Sequence, residues 1–109
     1  STVTYKGMPG AAAYAATKAA VRSFARTFSA EIPVTQTRFN VISPGPIETP
    51  IFAKAGMSED QKHGMAQTYP AKRMGKPEEI ASVALFLATN ESSFIVGADI
   101  LVDGGYSNV

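Results

Sequence analysis

The segment from Ala11 to Glu31 contains neither Gly nor Pro and is dense in Ala, the strongest helix former. Within and just beyond it, Val21, Phe24, Phe28 and Ile32 recur at helical spacing and define one apolar stripe. Pro33 cannot continue that helix and disfavours helical geometry at Ile32. Upstream, Ser1 to Gly10 carries Gly7, Pro9 and Gly10 and reads as the end of a strand followed by a loop. Downstream, Thr37 to Ser43 alternates and is β-branched, the pattern of a strand, with Pro44, Gly45 and Pro46 to stop it. Glu48 to Pro70 sustains no period. Thr49-Pro50 fits the opening of a short helix, and Ser58 followed by Gln61 fits a capping box for a second. Gly56 and Gly64 interrupt the stretch. Pro77-Glu78-Glu79 then opens a longer helix with Ile80, Val83, Ala84 and Leu87 as its buried stripe. Ile95 to Val102 reads as a turn and a strand, with Ile100, Leu101 and Val102 as a buried run closed by Asp103-Gly104-Gly105.

Helices alternating with strands imply βαβ crossovers, a parallel sheet and an α/β fold. Two complete strands and two long helices cannot cover both faces of such a sheet well. The irregular stretch, counted as 50–70, is expected to be a substrate lid rather than core, against the alternative of a surface insertion with no role.

Composition sharpens this picture. The 109 residues make one domain. Hydrophobic residues account for 45%, typical of a packed core, while charged residues account for 17% against about 25% in an average soluble domain. So little charge implies that part of the surface is buried against something else. Ten Lys and Arg against nine Asp and Glu leave a net charge of +1, too little to steer the protein onto nucleic acid or a membrane surface. Neither partner is expected. There is no Cys and a single His63, so neither a disulfide nor a common zinc site is expected, and no metal. His63 is expected to face solvent on the lid. No apolar run approaches ~20 residues, and no basic segment precedes an apolar one as in a secretion signal. A cytoplasmic location follows as the expectation. A chain that begins Ser-Thr-Val-Thr without Met reads as a processed product, a fragment or the ordered part of a longer protein.

Tyr14 and Lys18 stand four residues apart in the first helix, on one face of it. A phenol in water titrates near pH 10. A cation within ~4–6 Å favours the charged form, so a Lys one turn away poises a Tyr for acid–base work. Ser1, at the expected strand end, offers a hydroxyl to a substrate oxygen. On spacing alone such a pair arises by chance in many helices. Met8, Met57, Met65 and Met74 suit a pocket wall and ordinary packing equally. Tyr69, Lys72 and Arg73 are expected to close the lid, and Glu78 and Glu79 to be ordinary acids of a helix start.

The flanking residues decide the matter. Tyr14-Ala15-Ala16-Thr17-Lys18-Ala19-Ala20-Val21 resembles the Tyr-x-x-x-Lys segment of the short-chain dehydrogenase/reductase family, with Ser1 where that family places its catalytic Ser. Asn40 to Thr49 resembles the family's Pro-Gly-x-x-x-Thr turn, Arg73 to Ala81 the entry to its last long helix, and Gly97 to Gly105 its last strand with a Val-Asp-Gly-Gly end. The resemblance covers nearly the whole chain and points to the short rather than the extended branch. It implies the C-terminal part of a Rossmann-like doubly wound parallel sheet, with the N-terminal half absent. It also implies an NAD- or NADP-dependent oxidoreductase acting on a small-molecule carbonyl or secondary alcohol. By that resemblance Tyr14 is the general acid and base, Lys18 favours the phenolate and binds the ribose hydroxyls, and Ser1 orients the substrate oxygen. Pro44 and Gly45 shape the turn beneath the nicotinamide, Ile47 meets the carboxamide through its backbone, and Thr49 meets the carboxamide or pyrophosphate. Arg73, Gly75, Pro77 and Asp103 match structural positions. The family's oligomers imply a dimer or homotetramer. The sequence departs from the pattern in one respect: it carries no Gly-x-x-x-Gly-x-Gly turn and no catalytic Asn. Two alternatives stand beside this reading: a nucleotide-sugar epimerase or dehydratase of the extended branch, and a non-catalytic remnant kept as an assembly or interaction module.

Overall fold

The computed structural model describes residues 1–108. A long helix, α1 (Ala12–Glu31), leads to strand β1 (Val41–Pro44). Three helices follow, α2 (Pro50–Lys54), α3 (Glu59–Gln67) and α4 (Pro77–Ala88), before strand β2 (Asp99–Val102). The strands pair in parallel, Val41 opposite Asp99 through Pro44 opposite Val102. The α/β class with a parallel sheet is therefore the one observed.

Local chemistry accounts for most helix boundaries. Ser58 Oγ accepts from the Gln61 N–H at 3.2 Å while the Ser58 N–H donates to Gln61 Oε1 at 2.9 Å, so the capping box closes in both directions. Pro50 and Pro77 occupy the first positions of α2 and α4, where a missing N–H costs nothing. Thr49 is the cap residue of α2, although its side chain makes no cap bond.

Three expectations need correction. Ser1 to Gly10 contains no strand. Thr2–Thr4 is a single 3-10 turn capped by Ser1 Oγ, which accepts from the Val3 N–H at 3.4 Å. Local bonds such as Tyr5 N–H to the Thr2 carbonyl occupy the backbone there. Next, β1 begins at Val41 rather than Thr37, because the preceding residues are held largely by side chains, with a backbone bond from the Gly97 N–H to the Phe39 carbonyl at 2.8 Å. Ser29 Oγ–H donates to the Phe39 carbonyl at 3.0 Å, and Asn40 bonds both the Ile95 carbonyl and the Ala98 N–H. Finally, the apolar stripes are not buried. Val21, Phe24 and Phe28 are 53, 60 and 40% exposed. On α4, Ile80, Val83 and Leu87 are half-buried and Ala84 is exposed, while Ile100 to Val102 are also half-buried. A sheet of two strands is too narrow to cover either helix.

The tightest packing lies after β1. Ala66, Tyr69 and Met74 are buried, with Phe52, Met65 and Tyr106 against them. The Tyr69 and Tyr106 rings meet edge-on at 4.8 Å. The irregular stretch thus supplies core residues as well as exposed ones.

Glu79 does more than begin a helix. Its carboxylate accepts from Arg73 Nη1 at 2.8 Å, Arg73 Nη2 at 2.6 Å and the Lys76 N–H at 2.7 Å. The Arg73 fork foremost, then the Lys76 N–H, brings its carboxyl down from 4.5 to about 2. A depressed carboxyl stabilises the fold above its unfolded value, and that contribution fades as pH falls from 4.5 through about 2. Carboxyl titration by NMR should place the Glu79 midpoint near 2. Glu79→Gln should flatten the acid limb of stability against pH. An ordinary midpoint would show that the fork does not persist in solution.

Candidate active site

Tyr14, Lys18 and Arg22 follow one another at four-residue intervals and form one stripe of α1. The Lys18 ammonium stands 5.4 Å from the centre of the Tyr14 ring. Thr17 Oγ1–H bonds the Tyr14 carbonyl at 2.7 Å and so turns back onto its own helix. Opposite α1 lies the end of β1. Between them opens a cleft of about 380 Å³ into which Ser1, Tyr14, Lys18, Pro44 and Gly45 all face. The fold therefore gathers five of the singled-out residues from three separate segments.

Ile47 and Thr49 are not on that cleft. Ile47 forms an isolated parallel bridge with Gly75. The bonds of the bridge run from Gly75 N–H to the Pro46 carbonyl at 3.0 Å and from Glu48 N–H to the Gly75 carbonyl at 2.8 Å. They use the atoms of Pro46 and Glu48 and leave the N–H and C=O of Ile47 turned away from it. Thr49 lines a larger cavity of about 680 Å³ on the far side of α2, together with the exposed His63. Among the methionines, Met74 is core, whereas Met8 and Met65 line a third cavity that Ser1 and Tyr14 share.

Gly45 holds the turn against the end of β2. A Cβ built there would lie 2.7 Å from both Cα and Cβ of Asp103, closer than real atoms approach. Asp103 cannot yield freely, since its carboxylate accepts from the Gly105 and Ser107 N–H groups and from the Ser107 hydroxyl. Burial raises the Asp103 carboxyl, but the Ser107 and Gly105 bonds outweigh it and leave it below 3.8. Gly45→Ala should therefore cost roughly 1–3 kcal/mol of stability through overpacking. Thermal unfolding checks this, and an unchanged midpoint would mean that the two strand ends slide apart without strain.

Two features of the scaffold escape sequence reasoning. The Asp99 side chain is 3% exposed on β2, and Arg22 Nε approaches its Oδ2 at 2.9 Å without the alignment of a hydrogen bond. The Arg22 guanidinium also lies 4.4 Å over the Tyr5 ring. Burial first, then the Asp99 carboxylate, pushes the Tyr5 phenol up. This cluster ties α1, one turn beyond Lys18, to β2. The second feature is Arg38, which donates from Nη2 to the Leu87 and Thr89 carbonyls at 2.7 and 3.1 Å. From Nη1 it donates to the Ser92 and Ile95 carbonyls at 2.8 and 3.1 Å. A single guanidinium thereby closes the C-terminal end of α4. No spacing rule links positions so far apart in the chain.

Among the described residues there is no cluster of metal-ligating side chains, and no helix is long and apolar enough to cross a membrane.

A family model described as enoyl-(acyl carrier protein) reductase matches residues 1–107. The 3-oxoacyl-(acyl-carrier-protein) reductase of Chlamydia muridarum is 43% identical over 105 residues, which cover 96% of this chain and 42% of the relative. A crystal structure of a short-chain dehydrogenase/reductase, glucose/ribitol dehydrogenase, from Brucella melitensis superimposes with a TM-score of 0.87 at 39% identity. The match covers 98% of this chain and 42% of that one. The aldohexose dehydrogenase of Thermoplasma acidophilum gives a TM-score of 0.90 at 33% identity, over 98% and 45%. The chain spans about two-fifths of the length of the curated relatives it matches.

Proposed function

The chain belongs to the short-chain dehydrogenase/reductase family, and on that footing we propose that it supplies the acid–base centre of an NAD- or NADP-dependent oxidoreductase acting on a carbonyl or secondary alcohol. The observation that carries this reading is the cleft between α1 and β1, where Tyr14, Lys18 and Ser1 face the Pro44-Gly45 turn.

The residues present fit the nicotinamide end of such a cofactor. The free N–H and C=O of Ile47 form a donor–acceptor pair of the kind a carboxamide needs. Lys18 would meet the ribose hydroxyls from α1 and Pro44 and Gly45 would form the floor, whereas Thr49, on the separate cavity of about 680 Å³, would meet the cofactor only outside the cleft. The bound nicotinamide supplies or accepts the hydride at the substrate carbon. This chain's own residues manage the proton. In reduction Tyr14 donates its phenolic proton to the developing alkoxide, and in oxidation the phenolate takes that proton back. Lys18, one turn away, favours the phenolate by its charge. Ser1 donates to the substrate oxygen and fixes its direction.

Residues 50–70 act as the substrate lid. The stretch is short-helical, and Gly56 separates its two helices, whereas Gly64 lies within α3. Amide exchange around Gly56, away from the buried Ala66 and Tyr69, should be fast in the free protein and slowed by cofactor. Equal protection in both states would remove the lid. The uncovered Val21, Phe24 and Phe28 are consistent with a homo-oligomer, a dimer or tetramer, of the complete protein.

The test is direct. The complete gene product, given NADH or NADPH and a panel of ketones and aldehydes, should consume reduced cofactor. No turnover with any carbonyl or alcohol in the panel would overturn the reading and favour a non-catalytic interaction module.

A further inference from the structure

The relatives' names include a 3-oxoacyl-(acyl-carrier-protein) reductase, a cis-4-hydroxycyclohexanecarboxylate dehydrogenase and an aldohexose dehydrogenase, so their substrates do not transfer to this chain. The wall beside the proposed proton-transfer residues is more informative. A cavity of about 200 Å³ has Ser1 and Tyr14 at one end. Its other side is built by Met8 from the N-terminal loop, Phe52 from α2, Met65 from α3, and by Tyr69 and Tyr106. No Asp, Glu, Lys, Arg or His lines it. We propose that the arm of the substrate that enters this cavity is uncharged and apolar, an aromatic ring or a branched alkyl group attached to the reacting carbon.

Three observations converge on this class. Ser1 and Tyr14 bring to this cavity the hydroxyls proposed for the reacting oxygen, and the rest of its lining is mainly rings, thioethers and prolines, with Thr2 and the two phenols as its other hydroxyls. A charged arm would lose its hydration there and gain no partner. Tyr69, the most buried ring, stays neutral at working pH, since burial first and Tyr106 second raise its phenol to about 12. Met8 and Met65 adapt to branched or planar shapes without a change in chemistry.

The charged side chains lie outside this cavity. Lys18 and Arg22 line the cleft on the other side of Ser1 and Tyr14, the side proposed for the cofactor, and Glu48, Glu59, Lys62, Lys72 and Arg73 line the separate cavity of about 680 Å³. A charged substrate group would find partners there, but not in the cavity of about 200 Å³.

The inference rests on Tyr14 as that donor, and its test separates the two claims. The complete gene product is assayed with 4-methylacetophenone and 4-acetylbenzoate, which share a ring and a ketone and differ by methyl against carboxylate. The methyl compound should show kcat/KM at least about 100-fold higher. Met8→Lys places an ammonium at the cavity mouth, where Met8 is 50% exposed and the fold is not at risk. It should narrow that ratio about tenfold. A ratio near one, a preference for the carboxylate, or no response to Met8→Lys overturns the proposal. Reduction of charged or polyhydroxylated carbonyls alone, lost in Tyr14→Phe, also overturns it while leaving the oxidoreductase reading intact. Absence of turnover with every carbonyl overturns both.

Discussion

Tyr14→Phe in the complete gene product is expected to lower kcat at least about 100-fold, the usual loss for a positioned general acid. Phe keeps the ring, so the walls of both cavities that Tyr14 lines are preserved and only the proton is removed. Cofactor affinity should change little. Lys18→Met should raise the cofactor KM as well as lower kcat, because Lys18 is assigned both the phenolate and the ribose. Ser1→Ala should reduce turnover with a smaller effect on cofactor. The three signatures differ, so steady-state kinetics across pH separates proton transfer from cofactor binding and substrate positioning. Retention of more than about a tenth of the rate in Tyr14→Phe would move the acid to another group.

Arg38→Ala is expected to produce the largest loss of stability. Four carbonyls, those of Leu87, Thr89, Ser92 and Ile95, share its guanidinium. Bonds to a charged donor are stronger than neutral ones, and all four are lost together, although each carbonyl keeps a second donor: the Ser92 hydroxyl at Leu87 and Thr89, the Ile95 N–H at Ser92 and Asn40 Nδ2–H at Ile95. The C-terminal end of α4 also loses a cation that its dipole favours. A destabilisation of about 2–3 kcal/mol follows, readable by denaturant unfolding. Arg38→Lys should recover little of it, since an ammonium lacks the planar fork that reaches two pairs of acceptors at once. A cost under about 1 kcal/mol would show that water replaces the guanidinium.

These two residues mark what the sequence does and does not disclose. Helix α1, the Ser58–Gln61 box, the Pro77 start and strand β2 were legible because each depends on neighbours within a few positions. Arg38 was not, because its partners lie 49 to 57 residues away. For the same reason the residues from Thr37 to Asn40 passed for strand: alternation records side-chain direction, not whether a ladder partner exists. The stripe of Val21, Phe24 and Phe28 was read correctly as one face, but periodicity carries no information about what covers that face. At the site, Tyr14 and Lys18 share a face by spacing alone. Their importance rests on family resemblance, since such pairs are common. Folding onto one cleft with Ser1, Pro44 and Gly45 depends on α1 crossing the end of β1. The apolar wall was visible only in part: Met8, Met65 and Tyr69 drew notice, whereas Phe52 and Tyr106 become neighbours only through the tertiary fold.

The parallel pairing of β1 with β2 also sets a schedule for folding. Asn40 beside β1 and Ala98 beside β2 are bonded across 58 residues of sequence, and closing a loop of that length costs roughly 3–4 kcal/mol of chain entropy. On a ribosome adding about 5–20 residues per second, β1 emerges roughly 3–12 s before its partner exists. Through that interval Val41 to Ser43 expose unmatched backbone donors and acceptors to any other extended chain. The strand has only four residues, and it ends in Pro44, which has no N–H to offer. Its brevity and its proline therefore protect the nascent chain from mispairing, a role separate from anything they do at the cleft.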